Sequence, residues 1–186
     1  VAATVLTNLA GATTGDITSA NVTSITGTAA EVTAALDDAQ LVSLDAVNVT
    51  VSDTAAAIQT VIDGAGFDTT GDESAVISDA GAIAATVLTN LTAGLSSTVT
   101  SASVTSITGT AAEAQAALDD ARLVSLDAMD ATVSDAGAVA ATVLTNLAGA
   151  TTGDITSANV TSITGTAAEA QAALDDAQLV SLGAVD

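Results

Sequence analysis

Carboxylates are the only ionisable side chains that this sequence holds in number. Of its 186 residues 22 are Asp or Glu, Arg122 is the single basic residue, and His and Cys are absent, for a formal net charge of -21. Oxygen donors without nitrogen or sulfur donors suit a hard cation such as calcium, which takes about six to eight carboxylate, carbonyl and water oxygens. The densest stretch is Asp68-Thr69-Thr70-Gly71-Asp72-Glu73, which offers Asp68, Asp72 and Glu73 as candidate calcium ligands. Asp16 and Asp154, in the two other Thr-Thr-Gly-Asp loops, come next. The pairs Asp37-Asp38, Asp119-Asp120 and Asp175-Asp176 follow, each near a predicted helix end where the dipole favours cations. None of these stretches has EF-hand spacing or the Gly-Gly-x-Gly-x-Asp calcium nonapeptide. The same Asp residues also suit helix caps, turns and a solvated surface.

This inventory limits catalysis as well. Without His, Cys or Lys, acid–base and nucleophilic chemistry rests on carboxylates alone. A carboxylate pair can hydrolyse glycosides, but sugar sites commonly add aromatic platforms, and Phe67 is the one aromatic residue. The chain is expected to be no enzyme. Nucleic acid is excluded as a direct partner, because neutralising phosphates needs Lys and Arg, and anionic membranes are disfavoured on the same ground. No apolar run approaches the ~18 residues of a membrane span, so no membrane insertion is expected. A charge this one-sided opposes compaction unless salt or divalent cations screen it.

What must position these carboxylates is a repeat. The string AATVLTNL begins at Ala2, Ala84 and Ala140, and SITGTAAE at Ser24, Ser106 and Ser162. Residues 1–48 and 139–186 differ only at Val32/Ala170, Thr33/Gln171, Asp45/Gly183 and Asn48/Asp186. They mark a super-repeat that covers 1–138, with a truncated second copy at 139–186. A finer unit is marked by β-branched residues at Ile25, Val51, Ile77, Ile107, Val133 and Ile163, at successive intervals of 26, 26, 30, 26 and 30. Residues 1–186 are thus read as one repeat array that begins and ends inside a repeat, a segment of something longer.

Each unit reads as a strand followed by a helix. Val47-Asn48-Val49-Thr50-Val51 alternates with period two. Val22-Thr23-Ser24-Ile25 breaks that alternation, which a bulge, or a strand starting only at Ser24, would repair. Thr28–Glu31, Thr110–Glu113 and Thr166–Glu169 fit the capping box, while Asp53, Asp79 and Asp135 are expected to cap the helices that follow them. Val139, Val143, Leu144 and Leu147, and likewise Ile83, Val87, Leu88 and Leu91, form an apolar stripe at helical spacing. Gly94 and Gly149 are the expected helix stops, with the GATTGD loop as the place where the longer units gain their length. The core is expected from Ala, Val, Leu and Ile alone. Strands separated by helices run parallel, which predicts an α/β, right-handed strand–helix solenoid of 26–30-residue repeats with a parallel sheet. An all-β solenoid is the alternative, although AATVLTNL and AAEAQAAL favour helix.

Two further patterns stand beside this one. Thr23, Thr50, Thr105, Thr132 and Thr161 could line up on neighbouring strands as an ice- or carbohydrate-facing row, or serve simply as strand formers. Asn21, Asn48, Asn90 and Asn159 open glycosylation sequons.

SITGTAAEAQAAL, TVSDTAAAIQTV and TVSDAGAVAATVL resemble the acidic tandem repeats of giant cell-surface proteins of marine bacteria and cyanobacteria, across essentially the whole chain. That resemblance implies secretion to the cell surface and a role in surface layers, filaments or adhesion. The leading expectation is a structural segment that self-associates into an extracellular filament or lattice. The runner-up is the passive stalk of an adhesin, with calcium as its candidate stiffener, and a protein of hypersaline origin is compatible with either.

Overall fold

The computed structural model describes residues 1–64, 67, 69–101, 103–126 and 128–182. Strands and helices alternate along them. The first stretch runs α1 (Ala3–Gly11), β1 (Ile17–Thr18), β2 (Ser24–Gly27), α2 (Ala29–Leu36), β3 (Leu41–Val42), β4 (Asn48–Asp53), α3 (Ala55–Gly64) and β5 (Glu73–Ile77). Next come β6 (Gly81–Ala84), α4 (Ala85–Gly94), β7 (Val99–Thr100), β8 (Val104–Gly109), α5 (Ala111–Leu118), β9 (Leu123–Val124) and β10 (Asp130–Val133). The last are β11 (Gly137–Ala140), α6 (Ala141–Ala150), β12 (Ile155–Thr156), β13 (Val160–Thr164) and α7 (Ala167–Leu174). The α/β alternation and the parallel pairing match the expected class, and the all-β alternative is replaced by it.

The chain folds as two compact units, Val1–Asp79 with Asn90–Thr100, and Ala80–Thr89 with Ser101–Asp186. In the first, β2, β4, β5 and β7 pair side by side in parallel and β1 pairs with β3. In the second, β6, β8, β10 and β12 pair in parallel and β11 pairs with β13.

The pairing step differs from the motif spacing. Ile25 faces Val49, Val49 faces Glu73, Ile107 faces Ala131 and Ala131 faces Ile155. The offset is constant, and it is the same 24-residue step that separates Ala29 from its hydrogen-bond partner Asp53. Ile25 and Val51, equivalent in the motif, are therefore not partners; Gly27 faces Val51. Across the 26-residue intervals each strand slips two residues against its motif, and an even slip leaves every side chain on its original face. The longer units have a second cause. Asp79 and Asp135 are followed by a turn with φ +88° at Gly81 and +101° at Gly137, then by the added strands β6 and β11. The extra length builds these strands, not the GATTGD loop.

The added strands also correct the helix stripe. Ile83 and Val139 lie in β6 and β11, and the helices start two residues later, at Ala85 and Ala141. Gly94 ends α4 as expected, whereas α6 runs through Gly149 to Ala150. A Cβ at Gly94 would collide with the Ile62 side chain, so close packing favours glycine there. Both repairs of the broken alternation occur. β2 starts at Ser24, and β8 and β13 take a register shift opposite Gly81/Ala82 and Gly137/Ala138.

Alternate strand residues fill the cores. The first unit buries Ile25, Val49, Val51, Ala75 and Ile77 with Ala29, Val32, Ala35 and Ile58 of its helices, and Phe67 joins them. The second packs Val133, Leu144, Leu147, Ile155 and Val160 around Ala111, Ala114 and Ala173. Burial of Phe67 and Met129 extends the core beyond the four aliphatics expected. Ala on α5 and α7 lets backbones approach closely, so little side-chain entropy is lost for each contact.

Candidate functional site

The carboxylates act mainly on the backbone of the neighbouring coil. Asp53, Asp79 and Asp135 do not cap the helices in the way expected. Asp53 Oδ2 accepts the Ala29 N–H at 3.1 Å, Asp79 Oδ2 the Ala55 N–H at 2.6 Å, and Asp135 Oδ2 the Ala111 N–H at 2.6 Å. Each Asp thus lies one 24-residue step beyond the helix start it caps, the pairing step again. Asp53 also accepts the Thr54 N–H through Oδ1, so one carboxylate holds two successive helix starts. Free N–H groups and the positive end of the helix dipole make this a favourable place for negative charge. Asp79 and Asp135 cannot reach forward, because β6 and β11 intervene before α4 and α6. Ala140 stands at the N-cap of α6, without a side-chain cap.

The capping boxes form as expected at Thr28/Glu31, Thr110/Glu113 and Thr166/Glu169. Hydrogen bonds from Thr110 and Thr166 hold the Glu113 and Glu169 carboxyls below the ordinary glutamate range.

The candidate calcium ligands are placed as follows. Asp68 lies outside the described residues. Asp72 precedes β5 and Glu73 opens it; Asp16 precedes β1 in the first unit, and Asp154 precedes β12 in the second. Successive strand residues point to opposite faces. Glu73 therefore lies on the side of Ala75 and Ile77, half-buried, while Asp72 is exposed. Burial pushes the Glu73 carboxyl above its usual range, partly offset by a backbone hydrogen bond from Ser96. Two adjacent carboxylates on opposite faces do not make a shared ligand set. Among the described residues, which do not include Asp68, no group of three or more Asp and Glu side chains converges as a metal site.

The second and third Thr-Thr-Gly-Asp loops clasp the preceding coil. Thr69 Oγ1 donates to the Val47 carbonyl at 2.7 Å and Thr151 Oγ1 to the Met129 carbonyl at 2.6 Å. Each hydroxyl then accepts the N–H of its own glycine, Gly71 or Gly153. A Cβ at either glycine would strike the carbonyl of Val47 or Met129, which is why glycine stands there. The next amide is satisfied by the preceding coil too: Asp72 N–H donates to Asn48 Oδ1 at 3.0 Å and Asp154 N–H to Asp130 Oδ1 at 2.9 Å.

The Asp pairs have a structural explanation as well. Asp38, Asp120 and Asp176 accept the N–H of Gln40, Arg122 and Gln178, two residues on. These are Asx turns that follow α2, α5 and α7. Sequence reasoning missed the residue they present. Gln40 Nε2 donates to the Thr13 carbonyl at 2.9 Å, and Gln178 Nε2 reaches the Thr151 carbonyl, each 27 residues back. Recurrence of Gln in DDAQL was the available signal. Arg122 stands in its place in the middle copy and bonds Asp120 at 3.3 Å.

The Thr row also shifts. Thr50 sits between Thr26 and Ser74, and Thr132 between Thr108 and Thr156, because the 24-residue register, not the motif, aligns them. Thr23 lies outside these rows. In the second unit an open groove of about 390 Å³ runs between α5 and α6, lined by Gln115, Asp119, Thr145, Asn146, Gly149 and Ala150. No described helix is long and apolar enough to cross a membrane. No family model matches the chain, and neither does any curated protein or solved structure.

Proposed function

We propose that this chain is a non-catalytic structural repeat segment of a secreted protein, built as a strand–helix solenoid, that forms an extracellular filament or surface lattice by self-association. The observation that carries this reading is the 24-residue step. Backbone pairing, Asp-to-helix caps and Thr-to-carbonyl clasps all reach one coil back with that same offset or within a few residues of it. Such an arrangement is stabilised by nearest neighbours and extends by adding copies. Its carboxylates are engaged in building coils, and the candidate ligands Asp16, Asp72 and Asp154 face solvent, where calcium would act chiefly by screening a charge of -21.

Electron microscopy of the purified protein, in calcium and after chelation, tests the reading. Ordered filaments or sheets support it, and their loss on chelation would add calcium as the bridging cation. Isolated thin rods under both conditions would overturn it in favour of an adhesin stalk.

A further inference from the structure

Two of the four Asn-x-Thr sequons lie on the same turn. Val22 N–H donates to the Ser19 carbonyl at 2.8 Å, Val104 N–H to Ser101 at 3.2 Å and Val160 N–H to Ser157 at 3.1 Å. Asn21, Ser103 and Asn159 hold the third place of this turn, where Asn and Ser are common. The Ser103 and Asn159 carbonyls accept the Gly81 and Gly137 N–H groups, so the main chain holds the turn while both side chains are exposed. The Thr that completes the pattern is exposed as well. Val104 faces Gly81 and Ser106 faces Ala82; Val160 faces Gly137 and Ser162 faces Ala138. Thr105 and Thr161 are therefore the extra residues of two β-bulges, a device that re-aims side chains. In β8 it lets Val104 and Ile107 both face the core and leaves Thr105 outside. This exposure does not depend on the ends of the chain, because β8 is paired on both sides, by β6 and by β10. Asn21 and Thr23 are exposed in the first unit too. The other two sequons differ. Asn48 lies in β4 and its Oδ1 accepts the Asp72 N–H at 3.0 Å; Asn90 lies inside α4, and its partner Thr92 is buried.

We propose that Asn21 and Asn159 are glycan-attachment sites and that Asn48 and Asn90 are not. A transferase that reads Asn-x-Thr must reach the Asn carboxamide and the Thr hydroxyl together, and this turn presents both on one side of the strand. The donor is an oligosaccharide carried on a polyprenyl diphosphate. The bond from the sugar C1 to the diphosphate oxygen breaks, a bond from C1 to the Asn Nδ2 forms, and one Nδ2 proton goes to the released polyprenyl diphosphate. The assignment rests on the secreted reading above, which brings the chain to such a donor. A sugar is bulky and solvated, so it would keep this turn on the solvent side of any filament or lattice.

Glycopeptide mass spectrometry of the full chain, recovered from the organism that makes it, tests the assignment. Cleavage at Asp suits a chain with a single basic residue, and electron-transfer fragmentation places the added mass on one residue whatever the sugar. Sugar on Asn21 and Asn159, with Asn48 and Asn90 bare, is the expected result. A bare Asn21 or Asn159, or sugar on Asn48 or Asn90, would overturn it. Variants made in the same organism separate the turn from the motif. Ser103→Asn completes Asn-Val-Thr on the middle turn and should gain a sugar at that residue; no added mass there would refute the role of the turn. Thr161→Ala should lose the sugar on Asn159, whereas Thr161→Ser should keep it; a sugar that survives Thr161→Ala would rule out recognition through the Thr hydroxyl. Cell fractionation keeps this proposal apart from the reading beneath it. Bare chain outside the cell would remove the glycan and leave secretion standing, while bare chain confined to the cytoplasm would remove both.

Discussion

A single carboxylate position illustrates what the acidity of this chain does. Asp135 is partly exposed, yet its Oδ2 takes the first helical N–H of α5, 24 residues back in sequence. Removing such a cap typically costs about 0.5–2 kcal/mol, and here the donor left behind sits at the positive end of a helix. Asp135→Ala should lower stability by about 1 kcal/mol in urea unfolding, and Asp135→Asn, which keeps an acceptor oxygen, by less. Asp154→Ala, at an exposed carboxylate ahead of a strand, should leave the midpoint nearly unchanged. Equal losses at Asp135 and Asp154 would mean that the cap contributes nothing beyond general charge. The sequence pattern identified these Asp residues as capping groups. It assigned Asp79 and Asp135 to the wrong helix and gave Asp53 one of the two helix starts it holds, because a cap to the next helix in sequence and one to the helix a coil away use the same residue type.

At the scale of elements, identical sequences contribute unequally. Leu9 and Leu147 occupy the same place in ATVLTNLAG, but Leu147 is enclosed in the core beside α5 and Leu9 is half open to solvent. Leu147→Ala should cost about 2–5 kcal/mol, the usual range for a large-to-small change in a core. Leu9→Ala should cost well under half as much when unfolding is measured at a concentration too low for association. Similar losses would show that burial is not what separates the two positions. Local sequence was sufficient for the capping boxes at Thr28, Thr110 and Thr166, since both partners lie within four residues. It also sufficed for strands wherever alternation was clean. The coil step was harder to see. Motif copies recur at wider intervals than the strands pair, but pairing follows the pleat, and a two-residue slip between Ile25 and Val51 costs no burial. The short strands β6 and β11 were hidden inside a helical stripe, because Ile83-Ala84-Ala85 and Val139-Ala140-Ala141 suit either period; only the positive φ at Gly81 and Gly137 separates them. In the acidic loop, sequence adjacency does not record that Glu73 opens β5 half-buried while Asp72 before it is exposed.

For the whole molecule, pH acts through two opposed effects of the same carboxylates. At neutral pH the net charge of -21 repels itself, and protonation relieves that repulsion. Glu73, whose carboxyl is raised by burial, adds to the relief: its folded form prefers the proton, so its cost fades as pH falls through the raised value. Glu113 and Glu169 act the other way. Their folded carboxyls are lowered by the Thr110 and Thr166 hydrogen bonds, so the stability they contribute is present above the unfolded value and is lost as pH falls through the folded one. Salt separates the two, because it screens the long-range repulsion while a cap hydrogen bond is local; the Debye length is already about 3 Å at 1 M. At high salt the repulsion is largely gone, and the caps should dominate. Thermal unfolding in 1 M salt should therefore show the midpoint falling between about pH 5 and about pH 3, the range spanning an ordinary glutamate. The double variant Glu113→Gln/Glu169→Gln keeps acceptor oxygens but cannot titrate, so it should flatten that fall. At low salt the parent should lose less stability over the same range, since acid then relieves repulsion as it removes the caps. An unaltered pH slope in the double variant would show that these two capping boxes do not carry the acid sensitivity.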